Sequence, residues 1–410
     1  MNRKLYLFFI ENYFLLTALF GFLEMLSIHY FEYKYIIQLS LLFVSVSLII
    51  GEKHNKIDVT LILTIFIIVL SGYFLCPYNI LYKAGVTGEI IPMFAYFIGK
   101  SEFCNNDKIF EKGVCVVAIV SIIGLWLYIT QPAWYLNFRL SGIDNITDHA
   151  YLEMTRLSAF WEFPYWMSYG VAILYCFVLG RTLIENKLSK KIGYPLLFFF
   201  AIISLLTQQR ASIGIIVLAT IVYNIYNRKI NNKSYTGIIK VILIISFALL
   251  LLYLIISHFL DETRIDFIIS KFTELNERDN FIEDRANLFD NMYDVPISIL
   301  GDGLGLYSHT AVEMGLKHYI TDQGYMKMIY ETGIIGSVLR IIIIAICLFK
   351  GLKDKRIYYF EITVIIMIVI SLFGANSLSS MQMHNVIFWI CCGRINNNLL
   401  LENKRQKLYN

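Results

Sequence analysis

The chain has 410 residues, of which 57% are hydrophobic, 15% aromatic and only 16% charged, with a net charge of +4 and a mean hydropathy of +0.61. A soluble domain carries about 25% charged and 45–50% apolar residues, so this chain has too few charges to cover a water-exposed surface. Soluble enzymes and nucleic-acid-binding proteins are excluded, and the chain reads as an all-α polytopic membrane protein.

Met1 to Lys4 followed by an apolar run resembles a signal sequence, but Glu11, Asn12 and Glu24 interrupt the run and no small-residue cleavage site follows. A retained first span is therefore expected. At about 20 residues per bilayer crossing, apolar runs can be placed at about 5–28, 35–51, 58–76, 84–99, 113–130, 163–181, 192–208, 211–227, 238–257, 324–349, 357–374 and 384–402. This predicts about 12 transmembrane helices in a single integral membrane domain, 1–410. Lys and Arg concentrate in alternate connections: Lys53 and Lys56; Lys100, Lys108 and Lys112; Arg181, Lys187 and Lys190; Arg228 and Lys229; Lys350, Lys353 and Arg356. Positive residues near span ends stay cytoplasmic, so both termini are expected there.

Two segments are left on the external side, about 131–162 and 258–323. Loops this long are functional or disordered. The larger spaces Phe259, Ile268, Ile269, Phe272, Phe281, Leu288, Phe289 and Tyr293 at roughly helical intervals, which predicts amphipathic helices on the membrane face. It contains no cysteine, so no disulfide framework is implied.

The larger loop is acidic, yet Arg264, Arg278 and Arg285 are spaced through it, Arg139 and Arg156 lie in the other loop, and Arg210 opens a span. Arginine presents a rigid fork of donors suited to phosphate oxygens. A few positioned arginines in an acidic setting suggest a pyrophosphate clamp; pairing with neighbours, as of Arg285 with Asp284 or Glu283, is the plainer alternative. Gly301-Asp302-Gly303-Leu304-Gly305 lacks the strand–helix–strand context of a dinucleotide site. It is expected to turn the chain sharply, with Gly303 and Gly305 leaving backbone N–H groups accessible.

The titratable candidates near the external side are His309, His318, Asp322, Glu331 and His384. Asp322 falls where the loop re-enters the membrane, a placement that needs a reason. No metal-ligand spacing occurs, so neither metal nor cofactor is expected. Glu11, Glu24 and Glu89 within spans either line a polar cavity or bond between helices.

Three stretches resemble the O-antigen polymerase and ligase superfamily, which comprises Wzy-type polymerases, O-antigen ligases and related GT-C membrane glycosyltransferases. Arg156-Leu157-Ser158-Ala159-Phe160-Trp161-Glu162-Phe163-Pro164 is similar to the family's Arg-x-Ser/Thr-Gly-x-Phe…Pro approach to a span, with Ala159 in place of glycine. Gln209-Arg210-Ala211-Ser212-Ile213-Gly214 is similar to its Ser-Arg-Gly/Ala span start. The long loop carries Arg285 and then Gly301 to Gly305, and continues through Asp322-Gln323-Gly324-Tyr325-Met326 to Glu331-Thr332-Gly333-Ile334-Ile335-Gly336.

The resemblance implies a GT-C-like fold with a large helical external loop, in a bacterial cytoplasmic membrane, with the active site on the periplasmic face. It implies metal-independent transfer of a growing glycan from undecaprenyl pyrophosphate onto a lipid-linked repeat unit. Arg210 and Arg285, helped by Arg156, would stabilise the pyrophosphate leaving group, and Asp322 or His309 would take the acceptor proton. Arg264, Arg278, Gly303, Gly305 and Tyr325 would contact substrate. The partners implied are an undecaprenyl-pyrophosphate-linked oligosaccharide, the bilayer and a chain-length regulator. Trp134, Tyr135, Trp161 and Trp166 could stack on sugars or form an interfacial belt. Ligases carry a His-Asn pair where Asp322-Gln323 stands, which favours the polymerase; the alternatives are a ligase and a lipid-linked oligosaccharide flippase.

Overall fold

The computed structural model describes residues 3–27, 33–51, 53–140, 156–161, 164–231, 296–308, 311, 314–316, 323–373, 375–378 and 383–409. Every regular element among them is helical. In chain order these are α1 (Arg3–Glu11), α2 (Tyr13–Ser27), α3 (Tyr33–Gly51), α4 (Lys56–Leu75) and α5 (Asn79–Gly85). A π-helical turn (Val86–Ile90) leads to α6 (Ile91–Met93), α7 (Ala95–Lys100), a 3-10 turn (Glu102–Cys104), α8 (Lys108–Thr130) and α9 (Ala133–Leu140). Then come α10 (Pro164–Leu183), α11 (Lys190–Leu206), α12 (Arg210–Asn231), α13 (Gly324–Lys353), α14 (Tyr359–Ser371), α15 (Met383–Ile395) and α16 (Asn398–Tyr409).

Among the described residues, five helices are long and apolar enough to cross a membrane, or six if Lys4–Glu11 and Tyr13–Ser27 count as one broken span. Large apolar side chains such as Leu63, Phe66 and Phe74 on α4 and Val338 and Phe349 on α13 are exposed, as a lipid-facing surface requires. The protein is therefore built to be embedded in a membrane. The run 84–99 falls within α5, the π turn, α6 and α7, whose junction residues Gly85, Val86, Ile90, Ile91 and Phe94 keep right-handed helical backbone, with Pro92 lacking the N–H of a regular helical turn there. The segment 131–162 contains α9. The expected span 238–257 and the amphipathic helices of 258–293 lie outside the described residues.

Two compact units make up the chain. The first comprises Met1–Glu11, Lys34–Ile109 and Asp284–Asn410. In it α4 packs on α13, α7 on α15, and α14 on both α13 and α15. One set of its helix ends is tied by charge. Asn55 and Asp58 form a reciprocal capping box at the start of α4, and Asp58 also receives Lys100 Nζ at 2.5 Å and the Tyr96 hydroxyl at 3.0 Å. Arg394, fully buried, donates to Glu361 at 2.8 Å, Asp107 at 2.5 Å and the carbonyls of Cys104 and Asn106 at 3.0 and 2.7 Å. Burial pushes the Cys104 thiol above its ordinary value, an effect that Arg394 partly offsets.

The second unit comprises Asn12–Tyr33 and Phe110–Glu283. Its centre is α10, buried along nearly all its length between α11 and α12. Serine and threonine hydroxyls link these helices. Ser168 bonds Ser212, Ser204 lies 3.0 Å from Ser212, and the Tyr175 hydroxyl lies 2.7 Å from Thr220 Oγ1.

Candidate functional site

The most unusual backbone in the first unit is a break in α13. Gly333 has φ 69° and ψ −177°, a region open essentially only to glycine, so the helix stops and restarts there. In a membrane the backbone groups released by such a break need partners within the protein. Residues 298–302 supply them: Ile334 N–H donates to Ser298 O at 3.3 Å, Ile335 N–H to Ile299 O at 3.2 Å, and Asp302 N–H to Tyr330 O at 2.8 Å. A Cβ on Gly333 would lie 2.5 Å from the Leu300 carbonyl carbon, so the helix break and the incoming chain require each other.

The chain then makes the turn Gly301 to Gly305, with φ of 87°, 126° and 80° at its three glycines. A Cβ at Gly303 would sit 2.6 Å from Cys76 Cα, and one at Gly305 2.7 Å from the Leu81 carbonyl carbon. These glycines serve the approach of backbone to backbone. The turn does form an anion-holding concavity, but its occupant belongs to the chain. Tyr307 N–H donates to Glu331 Oε1 at 2.9 Å, and the Gly305 backbone also bonds this carboxyl. The Tyr307 hydroxyl donates to Asp302 Oδ2 at 2.6 Å and its ring lies 5.3 Å from that of Tyr330. Burial first, and Asp302 second, push the Tyr307 phenol far above its ordinary range, so it remains a donor.

Beneath the turn lie four charged side chains, each less than 5% exposed: Glu89, Lys327, Glu331 and Arg340. Arg340 Nη1 donates to Glu89 Oε2 at 2.9 Å. Lys327 Nζ stands 3.5 Å from Glu89 Oε1 and 3.7 Å from Glu331 Oε1. Glu89 projects from the π turn, a feature that recurs at functional sites. That turn is braced by Asn385, whose Nδ2 lies 3.1 Å from both Gly88 O and Leu378 O.

In the second unit the first two motif stretches come together. Leu157 N–H donates to Leu206 O at 3.0 Å, which places Arg156-Leu157-Ser158 beside the segment leading to Arg210. Ser158 is buried and receives Arg139 Nη1 at 2.6 Å. Ala159, where the family pattern has glycine, has φ 54°, the left-handed region that glycine occupies most readily. Arg156 is half-buried and Arg210 is exposed on the first turn of α12, as expected for a span start. Tyr135 and Trp161 are buried, which makes them packing residues, whereas Trp134 is exposed.

Of the other candidates, Asp322, His309, Arg285, Arg264, Arg278 and His318 lie outside the described residues. Gly303, Gly305 and Glu331 are brought together. Tyr325 is part-buried at the start of α13, with its hydroxyl donating to Val369 O at 2.7 Å and its ring 4.8 Å from that of Phe373. His384 is buried on the first turn of α15. Sequence reasoning passes over Lys327 and Arg340. The signal was present, since a lysine and an arginine inside an otherwise apolar run are costly unless matched. No family model, curated protein or solved structure matches the chain.

Proposed function

We propose that this protein is a membrane glycosyltransferase that polymerises a surface polysaccharide, moving the growing glycan from undecaprenyl pyrophosphate onto a lipid-linked repeat unit at the external face of a bacterial cytoplasmic membrane. One observation carries the reading. The motif stretches of the third segment, far apart in the apolar pattern, meet in the fold, with Gly301 to Gly305 seated on the break between Glu331 and Gly333. The first two stretches likewise meet at Leu157 and Leu206. In this reading Arg210 and Arg285, with Arg156, stabilise the departing pyrophosphate. Asp322 or His309 accepts the proton of the attacking sugar hydroxyl, without a metal.

A second reading has its own support: a discontinuous helix with buried charges is also how secondary transporters build their sites. A gel of surface polysaccharide from the host lacking this gene separates the two. Loss of the ladder with single repeat units still attached, reproduced by Arg210→Ala and Arg285→Ala, supports the polymerase. Long chains accumulating on the carrier lipid indicate a ligase. Single units retained on the cytoplasmic side indicate a flippase and would remove the enzyme.

A further inference from the structure

The charged cluster under the Gly-rich turn leaves two carboxyl oxygens to be accounted for. Glu89 Oε1 and Glu331 Oε2 are both buried and accept no hydrogen bond from a donor among the described residues. A buried carboxylate oxygen without a donor is costly, because it gives up its water bonds and gains nothing in return. The two carboxyls lie close enough to act on each other's charge, and Lys327 stands nearly equidistant between them, at 3.5 Å from Glu89 Oε1 and 3.7 Å from Glu331 Oε1. They are not equivalent. Glu89 has the Arg340 guanidinium at 2.9 Å as well, whereas Glu331 Oε1 takes backbone N–H groups of the turn. Two ionised carboxylates in contact repel, and when carboxyls share a site one of them holds its proton.

We propose that Glu89 and Glu331 form a proton-binding site, in which Glu331 carries a proton and donates it to Glu89, itself ionised against Arg340. A single O–H···O bond between Glu331 Oε2 and Glu89 Oε1 satisfies both orphan oxygens at once and needs no cavity. The charged and titratable groups facing the pair are Lys327 and Arg340 on α13, the Cys76 thiol after α4 and the Tyr307 phenol on the turn, with Asp302 behind Tyr307. With the proton bound, the cluster carries one net positive charge, from Lys327 and Arg340 against Glu89 alone. The site goes beyond the glycosyl-transfer reading and holds for a transporter equally.

The test is made on the full chain in lipid by infrared spectroscopy and thermal unfolding. Wild type should show a protonated-carboxyl C=O band at neutral pH that shifts in D2O and is lost in Glu331→Gln. Because the amide oxygen can accept Tyr307 N–H while the amide NH2 donates to Glu89, Glu331→Gln should fold and melt with wild type. Glu89→Gln should lower the melting temperature, since it removes the ionised partner of Arg340. A wild type without the band, a band unchanged in Glu331→Gln, or Glu331→Gln failing to fold or melting as low as Glu89→Gln would each overturn the proposal.

Discussion

Replacing Arg340 by methionine probes the strongest link of the buried cluster while keeping most of the side-chain volume. At 2.9 Å and an effective dielectric constant of about 20, a unit ion pair attracts by roughly 6 kcal/mol. Lys327, at 3.5 Å from the other oxygen of Glu89, supplies about 5 kcal/mol on the same scale. Arg340→Met therefore leaves Glu89 partly matched, and the expected loss lies toward the lower end of the roughly 3–5 kcal/mol that follows from breaking a buried pair. Glu89→Gln should cost at least as much, because two cations then lose their shared acid. The double variant removes both ends of the pair, so its cost should fall short of the sum of the singles by about 2 kcal/mol or more. Equilibrium unfolding of the full chain by SDS in mixed micelles measures all three. Single losses that add within about 0.5 kcal/mol would mean that Glu89 and Arg340 do not interact, and the account of the cluster would fail.

Three further outcomes are expected. Gly333→Ala places a non-glycine residue where only glycine is comfortable, at about 1–3 kcal/mol, and drives its Cβ to 2.5 Å from the Leu300 carbonyl carbon; the yield of folded protein on size exclusion should collapse, and an unchanged yield would refute the break. A Cβ added at Gly124 would stand 2.5 Å from Ala159 Cβ, so Gly124→Ala should destabilise and Ala159→Gly should rescue it. Alone, Ala159→Gly should relieve roughly 1 kcal/mol of left-handed strain, read by thermal unfolding. Cys104 is buried and its thiol value is raised in the fold, so the neutral form is the one the folded protein favours. The stability this confers is fully present below the ordinary thiol value and is lost as pH rises through it toward the folded one. Pulsed alkylation read by mass spectrometry should find Cys104 unmodified near pH 8 until the protein unfolds, and rapid modification in the folded state would contradict its burial.

Local composition was enough to define the class. The scarcity of charge requires a lipid environment for the outer faces of α4 and α13, where Phe66, Phe74 and Phe349 are exposed. The runs at 58–76, 113–130 and 163–181 each become one long helix, because a bilayer-length apolar stretch satisfies its backbone only by coiling on itself. The glycines at 301, 303 and 305 announced a turn, since left-handed backbone selects them. The π turn and Pro92 within the run 84–99 leave no mark in its hydropathy, because they change the backbone bonding and not the apolar content.

What the turn holds was decided only by the fold. Nothing near Gly305 or Tyr307 indicates that their backbone would bind a carboxyl 24 residues further on. Likewise Arg340 and Glu89 stand 251 positions apart, and each alone reads as an unexplained charge in an apolar run. Hydropathy is a sum over neighbours along the chain, so it registers the cost of burying each charge but not the partner that offsets it. The pairing exists only once α13, the π turn and the Gly-rich turn are packed together, and so the candidate site was visible in the sequence as anomalies and became a site in the tertiary structure.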